Sequence, residues 1–323
     1  MTAAPGADHA REGQTFAHRG SRLLAYVNFV KLPHTLFALP FALVGVVLAS
    51  YHAPVTWRGL GWIVLAFTCA RFAAMGFNRI VDREIDARNP RTSRRELPSG
   101  ALRLAEAVAA VAIASVLFVF SAWQLNSLCG ELSPLALAWV FFYSYTKRLT
   151  RWCHLVLGVG MSIAPVGGYL AVTGRWSDPW WMLIALALAV ATWGGGFDVL
   201  YALQDIDFDR EERLHSLPAA IGGANALMIA RALHVATVLC LAAVGAATFE
   251  NGPGGSFYAL GVAVAAGLLV YEHSLVKAND YSRLDAAFFT MNGVISIVFF
   301  ACVLIERLTH TSVMAIAFRT LGG

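Results

Sequence analysis

The sequence predicts an all-α membrane protein of about nine transmembrane helices, two four-helix repeats plus one, around a central cavity. Three observations predict it. The 323 residues are 58% hydrophobic and only 14% charged, far from the balance of a soluble domain. Apolar stretches of about 20 residues, the length that crosses a bilayer, recur along the whole chain. Two aspartate clusters recur at one constant offset of 123 residues, Asp82 and Asp86 in the first, Asp205 and Asp209 in the second. A unit of four spans preserves orientation, so the repeat is parallel and both clusters reach the same membrane face, where they can meet across a cavity.

The polar residues 1–22 contain no apolar signal-peptide core and are expected to stay in the cytoplasm. The first span, about residues 24–50, contains Pro40, which membrane helices tolerate. The second, 58–82, ends in NRIVDREID, carrying Asn78, Asp82 and Asp86. The loop ARNPRTSRRELPSG follows, with Arg88, Arg91, Arg94 and Arg95. Spans at 104–125 and 129–146 come next, the latter ending in YSYTK with Tyr143 and Lys147 one turn apart. The fifth, 153–174, holds Pro165, Gly167 and Gly168. The sixth, 179–205, runs through Gly194, Gly195 and Gly196 to Asp198, Tyr201 and Asp205. Spans at 225–248, 255–272 and 284–306 complete a single domain over 23–310, followed by a tail at 311–323. Of the 24 Lys and Arg, 17 fall on one side of this arrangement. The positive-inside rule therefore places the N-terminus and both clusters in the cytoplasm.

Carboxylates at i and i+4 share a helix face, and Asn78, Asp82 and Asp86 together extend about 12 Å along one. Oxygen-only donors without His or Cys suit Mg²⁺, which binds through a few carboxylates and substrate phosphates. A diphosphate with one or two Mg²⁺ ions fits that length. Guanidinium forks suit phosphate, so at least one of Arg91, Arg94 and Arg95 is expected to join Asn78, Tyr143 and Lys147 as diphosphate contacts. Asp198 lies two turns deeper than Asp205, at a depth where an aspartate costs about 2.5–3.5 kcal/mol to insert and so marks function. Plainer alternatives stand beside each reading: a polar helix end, a basic loop that only fixes topology, a belt tyrosine beside a snorkelling lysine, a structural hydrogen bond. Glu84 and Asp207 fall off the shared face and are expected to be solvated, and His34 reads as a helix-start residue. Cys69, Cys129, Cys153, Cys240 and Cys302 are scattered without CxxC spacing and read as small buried apolar residues. A net charge of +4 does not indicate nucleic acid.

The segments NRIVDREIDARNPRT, RRELPSG, YSYTK and GFDVLYALQDIDFDREERLHSLP resemble the UbiA superfamily of intramembrane prenyltransferases, over about residues 24–306. The resemblance implies nine helices around a central cavity, a lipid-facing opening for a prenyl chain, and Mg²⁺-diphosphate held by Asp82, Asp86, Asp205 and Asp209. It implies transfer of a polyprenyl group from polyprenyl diphosphate to an acidic aromatic acceptor of the 4-hydroxybenzoate type, in ubiquinone or menaquinone biosynthesis. The implied place is the inner membrane of a prokaryote, with no protein partner. Asp198 and Tyr201 are the catalytic candidates on the acceptor side. Two departures stand out: many members follow the first Asn with Asp, where Asn78 is followed by Arg79, and RRELPSG replaces the commoner RPLPSG. These variants resemble a branch some of which acts on 1,4-dihydroxy-6-naphthoate in the futalosine route to menaquinone. A transporter would more often set its carboxylates at the midplane. An intramembrane aspartyl protease needs two mid-span aspartates, and only Asp198 qualifies. A CDP-alcohol phosphotransferase would show a DG…AR pattern that this chain lacks.

Overall fold

Every regular element among the described residues is helical. The computed structural model describes residues 22–30, 32–249, 254–276 and 291–321. In order these form α1 (Arg22–Phe29), α2 (Leu32–Ala49), α3 (Trp57–Arg88), α4 (Leu104–Leu125), α5 (Ser127–Thr146), α6 (Cys153–Thr173) and α7 (Trp181–Tyr201). A 3₁₀ turn (Ala202–Asp205), α8 (Ile206–Glu211), α9 (Leu217–Ile221), α10 (Gly223–Phe249), α11 (Ser256–Leu275) and α12 (Asn292–Leu321) follow.

Seven of these stretches are long and apolar enough to cross a membrane: α3, α4, α6, α7 with its extension to Glu211, α10, α11 and α12 as far as Thr309. The chain is an integral membrane protein. The other two expected spans are also helical but less apolar. The one at 24–50 divides into α1 and α2, whose apolar part is Ala38–Ala49. The one at 129–146 is α5, which carries Glu131, Pro134 and three serines within 20 residues. Residues 1–21, Lys277, Arg283 and the first part of the expected ninth span (284–290) lie outside the described residues. Helix α12 continues through the segment expected as a tail.

Helix α7 is the hub. In its most apolar window 72% of residues are buried, against 22–39% for the other candidate spans. A helix apolar on every side has no preferred outward face and belongs in the middle of a bundle. Close approach of its neighbours rests on glycine. A Cβ at Gly158 of α6 would collide with the Ala191 carbonyl of α7, and one at Gly168 with the Ala42 carbonyl of α2. Small residues at helix crossings are the usual device where lipid provides no hydrophobic drive. The peripheral helices present Val116, Leu239 and Val270, each at least 65% exposed, as a lipid-facing surface would require. Trp57, Trp123, Trp176 and Trp180 are exposed at one end of the helices, and the arginine-rich loops lie at the other, an arrangement suited to the two interfaces.

Helix α3 has 32 residues, about 48 Å at 1.5 Å per residue, well beyond a hydrocarbon core of about 30 Å. Its last turns, with Asp82 and Asp86, therefore project past the apolar layer on a continuous helix. The second cluster does not match it. Helix α7 ends at Tyr201, where the Ala202 N–H is shared between the carbonyls of Asp198 and Leu200. The turn tightens to 3₁₀, and the Gln204 side-chain amide donates to the Tyr201 carbonyl at 3.0 Å. Asp205 then sits at φ −104°, ψ 8°, and opens α8. The i, i+4 face expected for Asp205 and Asp209 is thus bent, because local hydrogen bonds replace the helical ladder.

Gly158→Ala or Gly168→Ala should force the crossing helices apart, at about 1–3 kcal/mol, and lower the unfolding temperature in detergent. Gly167→Ala, with open space around the position, should leave it unchanged.

Candidate active site

Each of the four cluster aspartates meets a cation from a loop or a neighbouring helix end. Asp82 accepts from Asn78 Nδ2 at 3.0 Å and pairs with Arg148 at 2.8 Å. Both oxygens of Asp86 take Arg95 Nη1, at 2.8 and 2.9 Å. Asp205 receives Arg91 as a fork, Nη2 at 2.6 Å and Nε at 3.1 Å, plus Asn89 Nδ2 at 3.2 Å. Asp209 faces Lys147 Nζ at 2.9 Å. The pairing is dictated by desolvation: Asp86, Asp205 and Asp209 are 6%, 7% and 0% exposed, and an isolated buried carboxylate is prohibitive.

Cross-pairing joins the clusters. Arg91 and Asn89, from the loop after the first cluster, hold Asp205 of the second. Lys147 lies within electrostatic reach of Asp82, Asp205 and Asp209 together. Burial opposes its charge, but Asp209 and then Asp205 outweigh that and raise its pKa above the ordinary lysine value. The Lys147 carbonyl also accepts from the His215 N–H at 2.7 Å, tying the loop after α5 to the segment after α8.

Behind this charged lattice opens a largely apolar cavity of about 750 Å³, a size typical of small-molecule sites. Asn78, Arg79 and Arg95 line its polar end, and Phe41, Met75, Trp139, Trp193 and Phe197 line the rest. Three polar groups line the wall deeper in. Arg71 and Asp198 each stand seven residues, about 10 Å, below Asn78 and Asp205, and Tyr143 neighbours both of them electrostatically. Asp198 Oδ2 is 2.7 Å from His154 Nδ1. The opposite nitrogen, Nε2, accepts from the Leu217 N–H at 3.3 Å. That hydrogen bond fixes the ring with its proton on Nδ1, donated to Asp198.

All the expected site residues except Arg94 line the cavity or join the charged lattice. Arg94 is exposed, and among the described residues it pairs with none of the four cluster aspartates, which are held by Arg148, Arg95, Arg91 and Lys147. Tyr201 belongs to the charged end: its hydroxyl accepts from Arg91 Nη1 at 3.0 Å. Glu84 and Asp207 are exposed, as expected. All five cysteines are free. Sequence reasoning missed Arg148, Asn89, Arg71 and His154. Arg148 adjoins Lys147, and Arg71 is an arginine within a span, so both carried a signal; Asn89 and His154 had none beyond their type.

The donor set fits Mg²⁺. The oxygens are all carboxylate or amide, and neither Asp209 oxygen accepts a well-aligned hydrogen bond, leaving lone pairs for a ligand. Among the described residues no three acidic, His or Cys side chains converge enough to cage a metal alone. Mg²⁺ seldom needs such a cage, since phosphate oxygens and water complete its shell.

Residues 38–294 match the model of the UbiA prenyltransferase family. The chain belongs to that family. It is a transferase of prenyl groups. A 4-hydroxybenzoate octaprenyltransferase of Sodalis glossinidius is 32% identical over 253 residues, covering 76% of this chain and 82% of that protein. One of Aeromonas salmonicida is 30% identical over 286 residues, covering 88% and 96%. The fold is similar to the apo structure of a UbiA homolog from Aeropyrum pernix, with TM-score 0.76 and 33% identity over 84% of this chain and 98% of that one. It is also similar to a UbiA homolog from Archaeoglobus fulgidus bound to GPP and Mg²⁺, with TM-score 0.63 and 19% identity over 88% and 99%.

Arg91→Ala should strip a charged fork from Asp205 and cut kcat/KM roughly 10- to 150-fold, the range for hydrogen bonds to charged groups. Arg94→Ala should stay within about twofold of the parent. A steady-state comparison of the two variants checks both.

Proposed function

We propose that this protein transfers a polyprenyl group from polyprenyl diphosphate to an acidic aromatic acceptor of the 4-hydroxybenzoate type, with Mg²⁺, for quinone biosynthesis. The observation that carries the reading is the lattice of four aspartates and four cations at the mouth of an apolar cavity. A diphosphate is the ligand that uses both signs of charge at once, through metal on the carboxylates and guanidinium on its own oxygens. The names of the relatives from Sodalis and Aeromonas support 4-hydroxybenzoate, and the resemblance of the Arg79 and RRELPSG variants supports 1,4-dihydroxy-6-naphthoate as the alternative.

Asp82, Asp86, Asp205 and Asp209 would hold the metal, and Mg²⁺ when bound neutralises charge on the departing diphosphate. Arg91, Arg95, Lys147 and Arg148, relieved of carboxylates, then face phosphate oxygens. The allylic C–O bond breaks with its electron pair leaving on diphosphate, and a ring carbon ortho to the acceptor hydroxyl forms the new C–C bond. The ring proton then goes to a base. Phe41, Trp193 and Phe197, with ring centroids 4.5 and 5.0 Å apart in succession, exclude water from the cation and present π-faces to it. Arg71, whose Nε lacks an acceptor among the described residues, receives the acceptor's carboxylate. Asp198, held by His154, is the carboxylate placed to take the proton, while Tyr201 links that wall to the Arg91–Asp205 pair.

The gathering of lysines and arginines at the aspartate end supports a site on the cytoplasmic side of a prokaryotic inner membrane, as a parallel repeat would give. The nine-span count follows if α1–α2 and α5 also cross.

Purified protein, Mg²⁺ and radiolabelled prenyl diphosphate should yield product with 4-hydroxybenzoate or with 1,4-dihydroxy-6-naphthoate, and EDTA should abolish it. Asp82→Ala and Asp205→Ala should each lose transfer while remaining in the membrane; activity in both would sink the scheme. Arg71→Ala should raise KM for the carboxylate acceptor about 10-fold or more and leave KM for prenyl diphosphate alone.

A further inference from the structure

The two positions at which the motifs depart from the commoner family pattern are partners. Arg79 Nη1 donates to Glu96 Oε2 at 2.8 Å, with the two side chains 5% and 0% exposed. Arg79 lies on α3 between Asn78 and Asp82, and Glu96 lies on the loop that follows α3.

This pair is an expensive brace if bracing is all it does. Taking a guanidinium and a carboxylate out of water costs several kcal/mol for each ion, and a buried ion pair of this kind is often no more stabilising than apolar residues of the same volume. The pair is also incomplete: Arg79 Nη2 and Glu96 Oε1 have no hydrogen-bond partner among the described residues. Arg79 lines the cavity beside Asn78 and Arg95, within electrostatic reach of Arg95, Asp86 and Tyr201. Glu96 and Asp86 offset the repulsion between the two guanidinium groups gathered at this end of the cavity, and a bound anion could draw on both cations. Asp86 already serves Arg95 through both its oxygens.

We propose that Arg79 is a diphosphate-contacting residue, and that Glu96 is a positioning residue that aims its guanidinium by holding Nη1 and leaving Nη2 for a phosphate oxygen. Arg79 thereby adds a fixed positive charge to the first cluster, next to the carboxylates assigned to the metal. The inference rests on the diphosphate reading above and adds to it one residue and its orienting partner.

The test is equilibrium binding of geranyl S-thiolodiphosphate, in Mg²⁺, to the detergent-solubilised full chain. Arg79→Lys keeps the charge but loses the fork and should weaken binding about 10-fold. The paired variant Arg79→Gln with Glu96→Gln keeps a hydrogen-bonded brace of similar size without charge; it should unfold at a similar temperature and bind about 10- to 100-fold more weakly. Farnesol, which has no phosphate, should bind all of these proteins equally. Unchanged thiolodiphosphate affinity in either folded variant, or an equal loss of farnesol binding, would overturn the proposal and leave the pair as a brace. Wild-type affinity in Asp82→Ala would instead overturn the diphosphate reading itself, so the two failures are distinguishable.

Discussion

The cost of burying a carboxylate governs this molecule more than any other term. Asp86, Asp205 and Asp209 are almost wholly out of water, and each would be intolerable without an opposite charge. The cations come from two different places in the chain: Arg91 and Arg95 from the loop after α3, Lys147 and Arg148 from the end of α5. Satisfying the aspartates therefore fixes where those segments lie, and so closes the polar end of the cavity. The loop after α3 is folded down rather than solvated, with Asn89, Thr92 and Glu96 buried. Thr92 anchors it by donating to the Asp86 carbonyl at 3.0 Å.

The same lattice gives the site two uses for one set of charges. The cations neutralise the carboxylates when no ligand is bound, and they are the groups a diphosphate would recruit. Little rearrangement is then needed on binding, because donors and acceptors are already gathered at the required spot. The apolar part of the cavity complements this. Trp193 is locked by its indole N–H on Asn292 Oδ1 at 2.8 Å, and Asn292 in turn donates to the buried Glu272 at 2.9 Å. A rigid aromatic wall beside a charged mouth is what a reaction through an allylic cation requires.

Much of this was legible in the chain itself. The apolar period, the two clusters and their constant spacing follow from composition and counting, and seven of the expected spans meet the length and composition of membrane helices. Asp82, Asp86, Asp205 and Asp209 were visible because charged residues at the ends of apolar runs are conspicuous. Asn89 was not, since its role depends on a partner 116 positions away. His154 was invisible for the same reason: it is one histidine among nine until Asp198 and the Leu217 N–H flank it.

By itself the sequence determined which segments are apolar enough for a bilayer, on which side the positive charge gathers, and which carboxylates repeat. Those are properties of local composition and spacing. The tertiary structure decided which cation meets which aspartate, that α7 breaks at Tyr201 while α3 runs on to Arg88, and that Arg79 and Glu96 are one unit. Such pairings depend on how helices distant in sequence cross and on which buried charge is left most in need of a partner. No local pattern encodes that.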